Sequence, residues 1–409
     1  MIPVDTDKMS LLNNLKLKKS FEQELENVLQ YWISHAIDTK ENGFYGEIDD
    51  DNQAVPGAVK GAVLNARILW SFAAAYNLTH KQKYLRIAGK AFRYIAKYFV
   101  DPEFGGVYWS LTAAGLPLDT KKQVYAQAFT VYGLSEYYKV TKNREALELA
   151  QNIYRHIENH SFDWKKGGYF EAFDREWKAI DDLRLSAKDA NEKKTTNTHL
   201  HVLEAYTVLY EIWPNEKLEK QIRKLISNFE DHIINKENYH LILFFDEDWQ
   251  VRSDTISYGH DIEAAWLLQR AAEVLDDEEL LTRIKQLAVK IARQTARFQN
   301  PDGSINYEFE PSENKLITER HWWVQAEAMV GFYNAWQQSS DIVFQKNAFA
   351  AWEFTLKHII DKDKGEWYWG VYENGSLMPG YGKAGFWKCP YHNSRACIEM
   401  IQRLEKENS

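Results

Sequence analysis

ENGFYGEIDDDN, residues 41–52, is the first of six similar stretches that recur along this 409-residue chain. Gly43, Gly105 and Gly167 follow one another at intervals of 62 residues, and the same interval separates Gly303 from Gly365. Each stretch alternates aromatic residues around a polar or glycine-containing tip, which is typical of a short β-hairpin. The related stretches are FGGVYWSLTAAG from Phe104, KGGYFEAFDREW from Lys166, FFDEDWQVRSD from Phe244, PDGSINYEFEPSEN from Pro301 and KGEWYWGVYENGS from Lys364.

Pairs of helical segments lie between the hairpins, and the two members of a pair differ in pattern. The first, such as ARILWSFAAAYNLT (66–79), is apolar on nearly every side. The second, such as KYLRIAGKAFRYIAKYF (83–99), has one apolar stripe and one charged face. A helix that is apolar all round is buried, whereas an amphipathic helix lies at the surface. The sequence therefore predicts an inner and an outer helix in each repeat.

The two ends of the chain complete this pattern. FEQELENVLQYWISHAI (21–37) lacks an inner partner, and HNSRACIEMIQRL (392–404) lacks an outer one. Joining them closes a ring of six inner and six outer helices, so we predict an (α/α)6 barrel with short β-hairpins at one mouth. An open solenoid is the alternative for a repeat of this length. No linker interrupts the repeats, which predicts one catalytic domain over residues 1–409.

Composition narrows the cellular setting and the class of partner. The net charge of −9 argues against a nucleic-acid partner, which requires basic patches. Cys389 and Cys397 are the only cysteines, so we expect no disulfide framework and a reducing compartment. No run of eighteen apolar residues occurs, and the N-terminal sequence lacks the order of a signal peptide. We therefore expect a cytoplasmic protein that does not cross a membrane.

Three histidines stand at the starts of predicted inner helices. They occur in NTHLHVLEAY (197–206), SYGHDIEAAW (257–266) and CPYHNSRACIE (389–399), as His201, His260 and His392. Histidine exchanges a proton near neutral pH, and equivalent positions in a closed barrel would bring the three to one pocket. We therefore predict a proton-transfer site.

A second histidine in the first of these stretches is excluded by geometry. Helical residues two apart point about 200° from each other, so His199 and His201 cannot both face the pocket. His201 instead shares a helix face with Glu204, and His260 shares one with Glu263 at the same spacing. A carboxylate beside an imidazole fixes its tautomer and raises its basicity, which suits a general base.

Two other kinds of site use the same residue types. A His and a Glu three residues apart can hold a metal, but the HExxH and CxxC spacings are absent, and we expect no metal or other cofactor. A glycosidase needs two carboxylates across the pocket, for which Glu204, Glu263 and Glu327 are candidates. A histidine one turn before two of these glutamates favours an orienting role for the acid.

Aromatic and cationic residues near the predicted histidines suggest the class of ligand. RHWWVQAEAM (320–329) and GFWKCPYH (385–392) place Trp322, Trp323 and Trp387 at inner-helix starts. Such rings fill a core or stack on sugars, and their position beside the histidines favours stacking. Arg67 lies within an otherwise apolar helix, where a buried guanidinium needs partners, and substrate oxygens would serve.

The chain resembles the N-acylglucosamine 2-epimerase superfamily, and within it the cellobiose 2-epimerase branch, over nearly its whole length. The most specific stretches are LSAKDANEKKTTNTHLHVLEAYT (185–207), SYGHDIEAAWLL (257–268), RHWWVQAEAM and FWKCPYHNSRACIEM. This resemblance implies an epimerase that inverts C2 of the reducing-end glucose of cellobiose and related β-1,4 disaccharides by ring opening and an enediolate. A monosaccharide enzyme, either an N-acetylglucosamine 2-epimerase or an aldose–ketose isomerase, is the alternative; a glycosidase and a non-catalytic sugar-binding protein rank lower.

The resemblance also implies roles for individual residues. It assigns His260 and His392 as the pair that removes and returns the C2 proton, with His201 as the third catalytic histidine. Cys389 falls where many relatives carry glycine. Sugar-binding roles fall to Arg67 at C1 and C2, to Trp323 and Trp387 as stacking surfaces, to Asp189 and Asn197 as polar contacts, and to Glu263 as the orienter of His260. The expected partner is the sugar alone, bound by a monomer or homodimer.

Overall fold

Twelve α-helices alternate with short strands in the computed structural model, which describes residues 6–407, with side chains from residue 14 onward. The helices are Thr6–His35 (α1), Ala62–Thr79 (α2), Gln82–Tyr94 (α3), Val124–Thr141 (α4), Arg144–His156 (α5), Thr196–Ile212 (α6), Glu216–Asn228 (α7), Tyr258–Glu273 (α8), Glu278–Ala296 (α9), Trp322–Ser339 (α10), Ile342–Phe354 (α11) and Tyr391–Glu407 (α12). Wider π-type turns extend α3, α5, α7 and α11 by five residues each.

The even-numbered helices form the inner ring. In α2 every side chain from Ala62 to Ala75 is buried, whereas α5 buries only one stripe, which includes Ala146, Ala150 and Ile153. Neighbouring inner helices contact one another around the whole ring, from α2 through α12 and back to α2. Helix α1 packs against α12 as its outer partner. The predicted (α/α)6 barrel of six inner and six outer helices is therefore confirmed, and the ring is closed.

Short antiparallel strands at one mouth join neighbouring repeats. The strands are Lys60–Gly61 (β1), Ser110–Leu111 (β2), Pro117–Asp119 (β3), Lys122–Gln123 (β4), Ala172–Phe173 (β5), Lys194–Thr195 (β6), Phe244–Phe245 (β7), Ile256–Ser257 (β8), Glu308–Glu310 (β9), Lys315–Ile317 (β10), Arg320–His321 (β11) and Gly370–Val371 (β12). The strand that leads into one inner helix pairs with the hairpin before the next, as β1 with β2 and β4 with β5. Such a pairing lies directly before α2, α4, α6, α8 and α10.

A buried ion pair anchors the loop after the outer helix in four repeats. In the first, the Lys60 Nζ donates to Asp38 Oδ2 at 2.7 Å, and Asp38 Oδ1 accepts from two backbone N–H groups of its own loop. The other three pairs are Lys122–Asp101, Lys194–Asp163 and Lys383–Asp361, at 2.9, 2.8 and 2.6 Å. A buried charge normally needs a partner, and the pairs of Lys60, Lys122 and Lys194 each hold one loop against the start of an inner helix.

The repeated glycine of the hairpin loops takes the left-handed backbone conformation. Its φ angle is +71° at Gly43, +70° at Gly105 and +74° at Gly167. Side chains rarely adopt this region, which explains why glycine recurs there. In the fourth repeat Tyr239 takes the same conformation, with φ of +62°, and the glycine interval is broken there. Among the described residues no helix is both long and apolar enough to cross a bilayer.

Candidate functional site

A ring of side chains fills the centre of the barrel one and a half turns into the inner helices. The sixth residue of each even-numbered helix from α2 to α10 and the fifth residue of α12 point there, and all are almost completely buried. They are Arg67, Phe129, His201, Glu263, Glu327 and Arg395. Two arginines, a histidine and two glutamates thus meet one phenylalanine at the buried centre of the barrel.

Arg395 is the hub of this ring. Its Nη2 donates to Glu263 Oε1 at 2.5 Å and to Glu327 Oε1 at 2.6 Å. Its Nη1 donates to Glu204 and to the Tyr391 hydroxyl. The Arg395 charge holds the pKa of Glu204 at about 2, although burial alone would raise it. One guanidinium therefore fixes three buried carboxyl groups from three different helices.

Two of these carboxylates each hold a predicted catalytic histidine. Glu204 Oε2 lies 2.9 Å from His201 Nδ1, as the spacing along α6 predicted. Glu327 Oε1 lies 2.7 Å from His392 Nδ1, an interaction that crosses from α10 to α12. A carboxylate at Nδ1 keeps the proton on that nitrogen and leaves Nε2 as the acceptor. Arg395 thus links the groups that orient both histidines.

The predicted pairing of Glu263 with His260 is wrong. The Nδ1 of His260 lies 2.8 Å from the Ser257 hydroxyl, and Glu263 is bound by Arg395 instead. The reason is position along the helix: His260 is the third residue of α8, while His201 is the sixth of α6. One helical turn is 5.4 Å, so Glu263 lies at the depth of His201 and below His260.

All three histidines are neutral near pH 7. Burial lowers the pKa of His260 to about 3, with a further contribution from His201 and Lys188. Burial also lowers the pKa of His201, and it lowers that of His392 with help from Arg67 and Arg395. A neutral imidazole can accept a proton at once, so the group suits proton abstraction.

Burial raises the pKa of Glu263 to about 8, with the charge of Glu327 beside it as the next cause. Burial likewise raises the pKa of Glu327, against the opposing charge of Arg395. Two carboxyl groups this close cannot both ionise readily, so the pair retains a proton at neutral pH.

Arg67 lies away from Glu263 and Glu327, and aromatic rings surround its guanidinium. Its guanidinium carbon is 4.1 Å from the ring centre of Phe129 and 4.8 Å from that of Tyr391. Its Nη2 donates to the Tyr125 hydroxyl at 2.7 Å, while Nη1 lies 3.9 Å from Cys389 Sγ. Cys389 is thus a neighbour of Arg67.

The two predicted stacking tryptophans lie on different sides of these groups. The Trp323 ring centre is 4.9 Å from that of His260 and 5.7 Å from that of His392. The Trp387 ring lies 6.0 Å from Tyr125, on the side of Arg67. Both side chains are partly exposed, so each offers a ring face to a ligand in the mouth. Trp322, by contrast, is buried core.

The two predicted polar contacts, Asn197 and Asp189, differ in their hydrogen-bond partners. Asn197 is the second residue of α6, and its buried Oδ1 has no hydrogen-bond partner among the described residues. Asp189 lies in the loop before β6, where its Oδ2 accepts from the backbone N–H and hydroxyl of Ser186. In the same loop Lys188 Nζ donates to the Tyr307 hydroxyl at 2.7 Å. This bond ties the loop to the hairpin beside Trp323.

His199 faces away from the site, as the helical angle predicted. Its Nδ1 donates to the Thr195 carbonyl at 2.7 Å, and its Nε2 accepts the Tyr169 backbone N–H at 2.9 Å. Gln325 makes matching bonds in α10, to the backbone of Ile305 and His321. His199 is therefore the α6 version of a loop anchor that other inner helices build from glutamine.

One group of residues has the composition of a metal site. Ligand atoms of Glu263, Glu327 and His392 lie within 4.8 Å of one another. The Arg395 guanidinium already donates to both carboxylates, and Glu327 also receives the Nδ1–H of His392. A metal ion would have to displace this internal cation, so the donor set does not fit one.

Sequence reasoning missed Arg395, Tyr391 and Ser257. Like Arg67, Arg395 is an arginine within a predicted inner helix, but α12 contains other polar and charged residues, so Arg395 does not stand out there. Its partners Glu204 and Glu263 lie 191 and 132 residues away, so no local spacing indicates them.

Comparison with known proteins places the chain among sugar epimerases. Residues 43–396 match the family model of N-acylglucosamine 2-epimerase (GlcNAc 2-epimerase). The cellobiose 2-epimerase of Bacteroides fragilis is 48% identical over 386 residues, which cover 94% of this chain and 98% of that protein.

Solved structures agree with this assignment. Cellobiose 2-epimerase from Bacillus thermoamylovorans B4167 superposes with a TM-score of 0.91 at 40% identity, covering 95% of this chain and 99% of that one. A D-mannose isomerase superposes with a TM-score of 0.82 at 22% identity over 94% of this chain and 97% of its own, a likeness that shows the fold alone.

Proposed function

Because the chain belongs to the N-acylglucosamine 2-epimerase family, we propose that it inverts C2 of the reducing-end glucose of cellobiose and related β-1,4 disaccharides. The glucose unit becomes mannose, and the glycosidic bond stays intact. The main support for this substrate is the 48% identity, over nearly the full length, to a cellobiose 2-epimerase. The buried histidines at the barrel centre supply groups of the kind that such a reaction needs.

Ring opening first exposes an aldehyde at C1, which makes the C2 proton acidic enough for a positioned base. His392 suits abstraction because Glu327 holds its Nδ1 proton and leaves Nε2 free to accept. The imidazolium that forms is then stabilised by the Glu327 carboxylate, 2.7 Å away. General base catalysis of this kind contributes about 10²–10⁴-fold.

The enediolate that results carries its charge on the oxygens at C1 and C2. Arg67 is the cation that faces this charge, since among the described residues its guanidinium has only a hydroxyl and a thiol as hydrogen-bonding neighbours. A preorganised donor in a buried site stabilises developing charge far more than it would in water. The reaction proposed here therefore uses protein groups only, without a metal or other cofactor.

Inversion requires that the proton return to the other face of C2. His260 is the second acid/base, and it comes from α8 while His392 comes from α12. Rotation about C2–C3 presents the second face of the planar intermediate to this group. His201, one turn deeper than His260, assists close to the reacting carbons.

The sugar is held by stacking and by polar contacts. Trp323, beside His260 and His392, stacks on one ring of the disaccharide, and Trp387 stacks on the other. Asn197, whose Oδ1 has no partner in the part of the chain that the structure describes, and Asp189 contact hydroxyl groups. Glu263 lies too deep to orient His260, so its contribution passes through Arg395 and Glu327. A single catalytic domain, a cytoplasmic location, a monomeric or homodimeric state and the lack of a nucleic-acid partner stay predictions.

A panel of sugars tests this function. Cellobiose should give glucosyl-mannose, and N-acetylglucosamine, mannose and glucose should be converted at least about 100-fold more slowly, since they cannot occupy both tryptophans. Release of free glucose from cellobiose would identify a glycosidase instead. Faster turnover of any monosaccharide would overturn the disaccharide assignment.

A further inference from the structure

Arg67 is a buried cation without an anionic partner. Its side chain is 3% exposed, its Nε has no hydrogen-bond partner among the described residues, and none of the described carboxylates forms an ion pair with it. Its polar contacts are the Tyr125 hydroxyl and the Cys389 thiol, both neutral. A buried charge normally has a charged partner, so this guanidinium is available to a ligand.

None of the three carboxyl groups of the site is paired with Arg67. Glu204 and Glu327 receive their hydrogen bonds from Arg395, from the oriented histidines, and from Tyr391 and Trp266. Glu263 is bound by Arg395 as well. Three acidic groups therefore surround one arginine, while the other arginine faces aromatic rings.

We infer that the pocket also binds disaccharide aldonates, in which the reducing-end C1 of a β-1,4 glucosyl-glucose is a carboxylate. The inference rests on the proposed function, because it places C1 and C2 of the sugar at Arg67. An aldonate is open-chain and planar at C1, and it carries negative charge where the enediolate does. Guanidinium groups match a carboxylate with two parallel hydrogen bonds.

Such a ligand binds without reacting. The proton beside a carboxylate is much less acidic than the proton beside an aldehyde, so neutral histidines of low pKa do not remove it. The second sugar ring keeps its stacking surface. Oxidation of cellobiose at C1 therefore converts the substrate of this enzyme into a competitive inhibitor.

Isothermal titration tests the inference with two ligands that differ at one carbon. Glucosyl-gluconate carries a carboxylate at C1, and glucosyl-glucitol carries a neutral CH2OH there. Charge-assisted hydrogen bonds are roughly twice as strong as neutral ones, so we expect the aldonate to bind wild-type protein about tenfold more tightly, or about 1.4 kcal/mol. Equal or weaker binding of the aldonate would overturn the inference.

Two variants locate the effect. In Arg67→Gln the preference for the aldonate should disappear, while the retained affinity for glucosyl-glucitol reports an intact pocket. In Lys188→Met, which removes a different cation near His260, the preference should remain. Loss of the preference in Lys188→Met alone would assign it to that lysine. If Arg67→Gln does not fold, the wild-type comparison still decides.

The same titrations separate this inference from the proposed function. If neither the alditol nor cellobiose binds, the disaccharide assignment itself fails. If both bind and the aldonate shows no advantage, only the inference at Arg67 fails.

Discussion

His392 and His260 differ in the group that holds Nδ1. A carboxylate holds it in His392, whereas a hydroxyl holds it in His260. The carboxylate stabilises an imidazolium by charge, while the hydroxyl can rotate and either donate or accept. We therefore expect the loss of its Nδ1 partner to reduce catalysis by His392 much more than catalysis by His260.

Substitution of these partners tests the difference. Glu327→Gln keeps the shape but removes the charge beside His392, and kcat should fall about 100-fold with little change in KM. Ser257→Ala removes the weaker partner of His260, and kcat should fall less than about tenfold. Steady-state kinetics of both variants with cellobiose measure this. Equal losses would contradict the larger effect expected from the Glu327 charge.

His199 gives a stability prediction. Burial lowers its pKa to about 4, so at pH 5 the unfolded chain takes up a proton that the folded protein does not. Stability is therefore lost as the pH falls below about 6.5, by about 2 kcal/mol at pH 5. His199→Gln, which copies Gln325, should reduce this loss by that amount and leave kcat unchanged. Urea unfolding at pH 7.5 and pH 5 measures it; an unchanged difference contradicts the account.

Local spacing correctly predicted the pair of His201 with Glu204. The same spacing wrongly predicted a pair of His260 with Glu263. His201 and Glu204 lie on one helix face, and Glu204 Oε2 keeps its contact with His201 while Oε1 accepts from Arg395 of α12. His260 and Glu263 have the same spacing, but Arg395 from a helix 132 residues away takes the glutamate. Such competition depends on how the ring closes, which the sequence of α8 does not contain.

The buried lysine–aspartate pairs act at the level of the hairpin loops. Lys194→Met leaves Asp163 buried without a cation, so unfolding free energy should fall by about 3–5 kcal/mol. Lys122→Met is the matched control, because Arg175 still donates two hydrogen bonds to Asp101. Its loss should be clearly smaller. Chemical denaturation compares the two variants, and equal losses would argue against a structural role for charge pairing.

The glycine interval predicted the repeats because left-handed backbone requires glycine at most positions. Gly167 and Gly303 fit this requirement, but Tyr239 accepts the same conformation between them. A non-glycine residue there hides the fourth repeat from any search by glycine spacing. Helix patterning remained visible because an inner helix is buried on all sides whatever its loop contains.

At the level of the whole molecule, the barrel centre couples activity to pH. The pKa of Glu263 is raised to about 8, so it loses its proton as the pH rises through that value. The added negative charge opposes formation of the enediolate, and kcat should fall above about pH 8. Glu263→Gln should remove this alkaline decrease even if its kcat is lower throughout. A pH–rate profile that retains the decrease in the variant would assign it to another group.

Ring closure brings residues from α2, α6, α8, α10 and α12 into one proton-transfer site, and solvent labelling tests that claim most directly. Cellobiose incubated with the enzyme in D2O should yield glucosyl-mannose that carries deuterium at C2, with the glycosidic bond intact. His260→Ala and His392→Ala should each abolish the conversion while the thermal unfolding of the protein persists. Epimerised product without deuterium at C2 would contradict proton removal and return by these histidines.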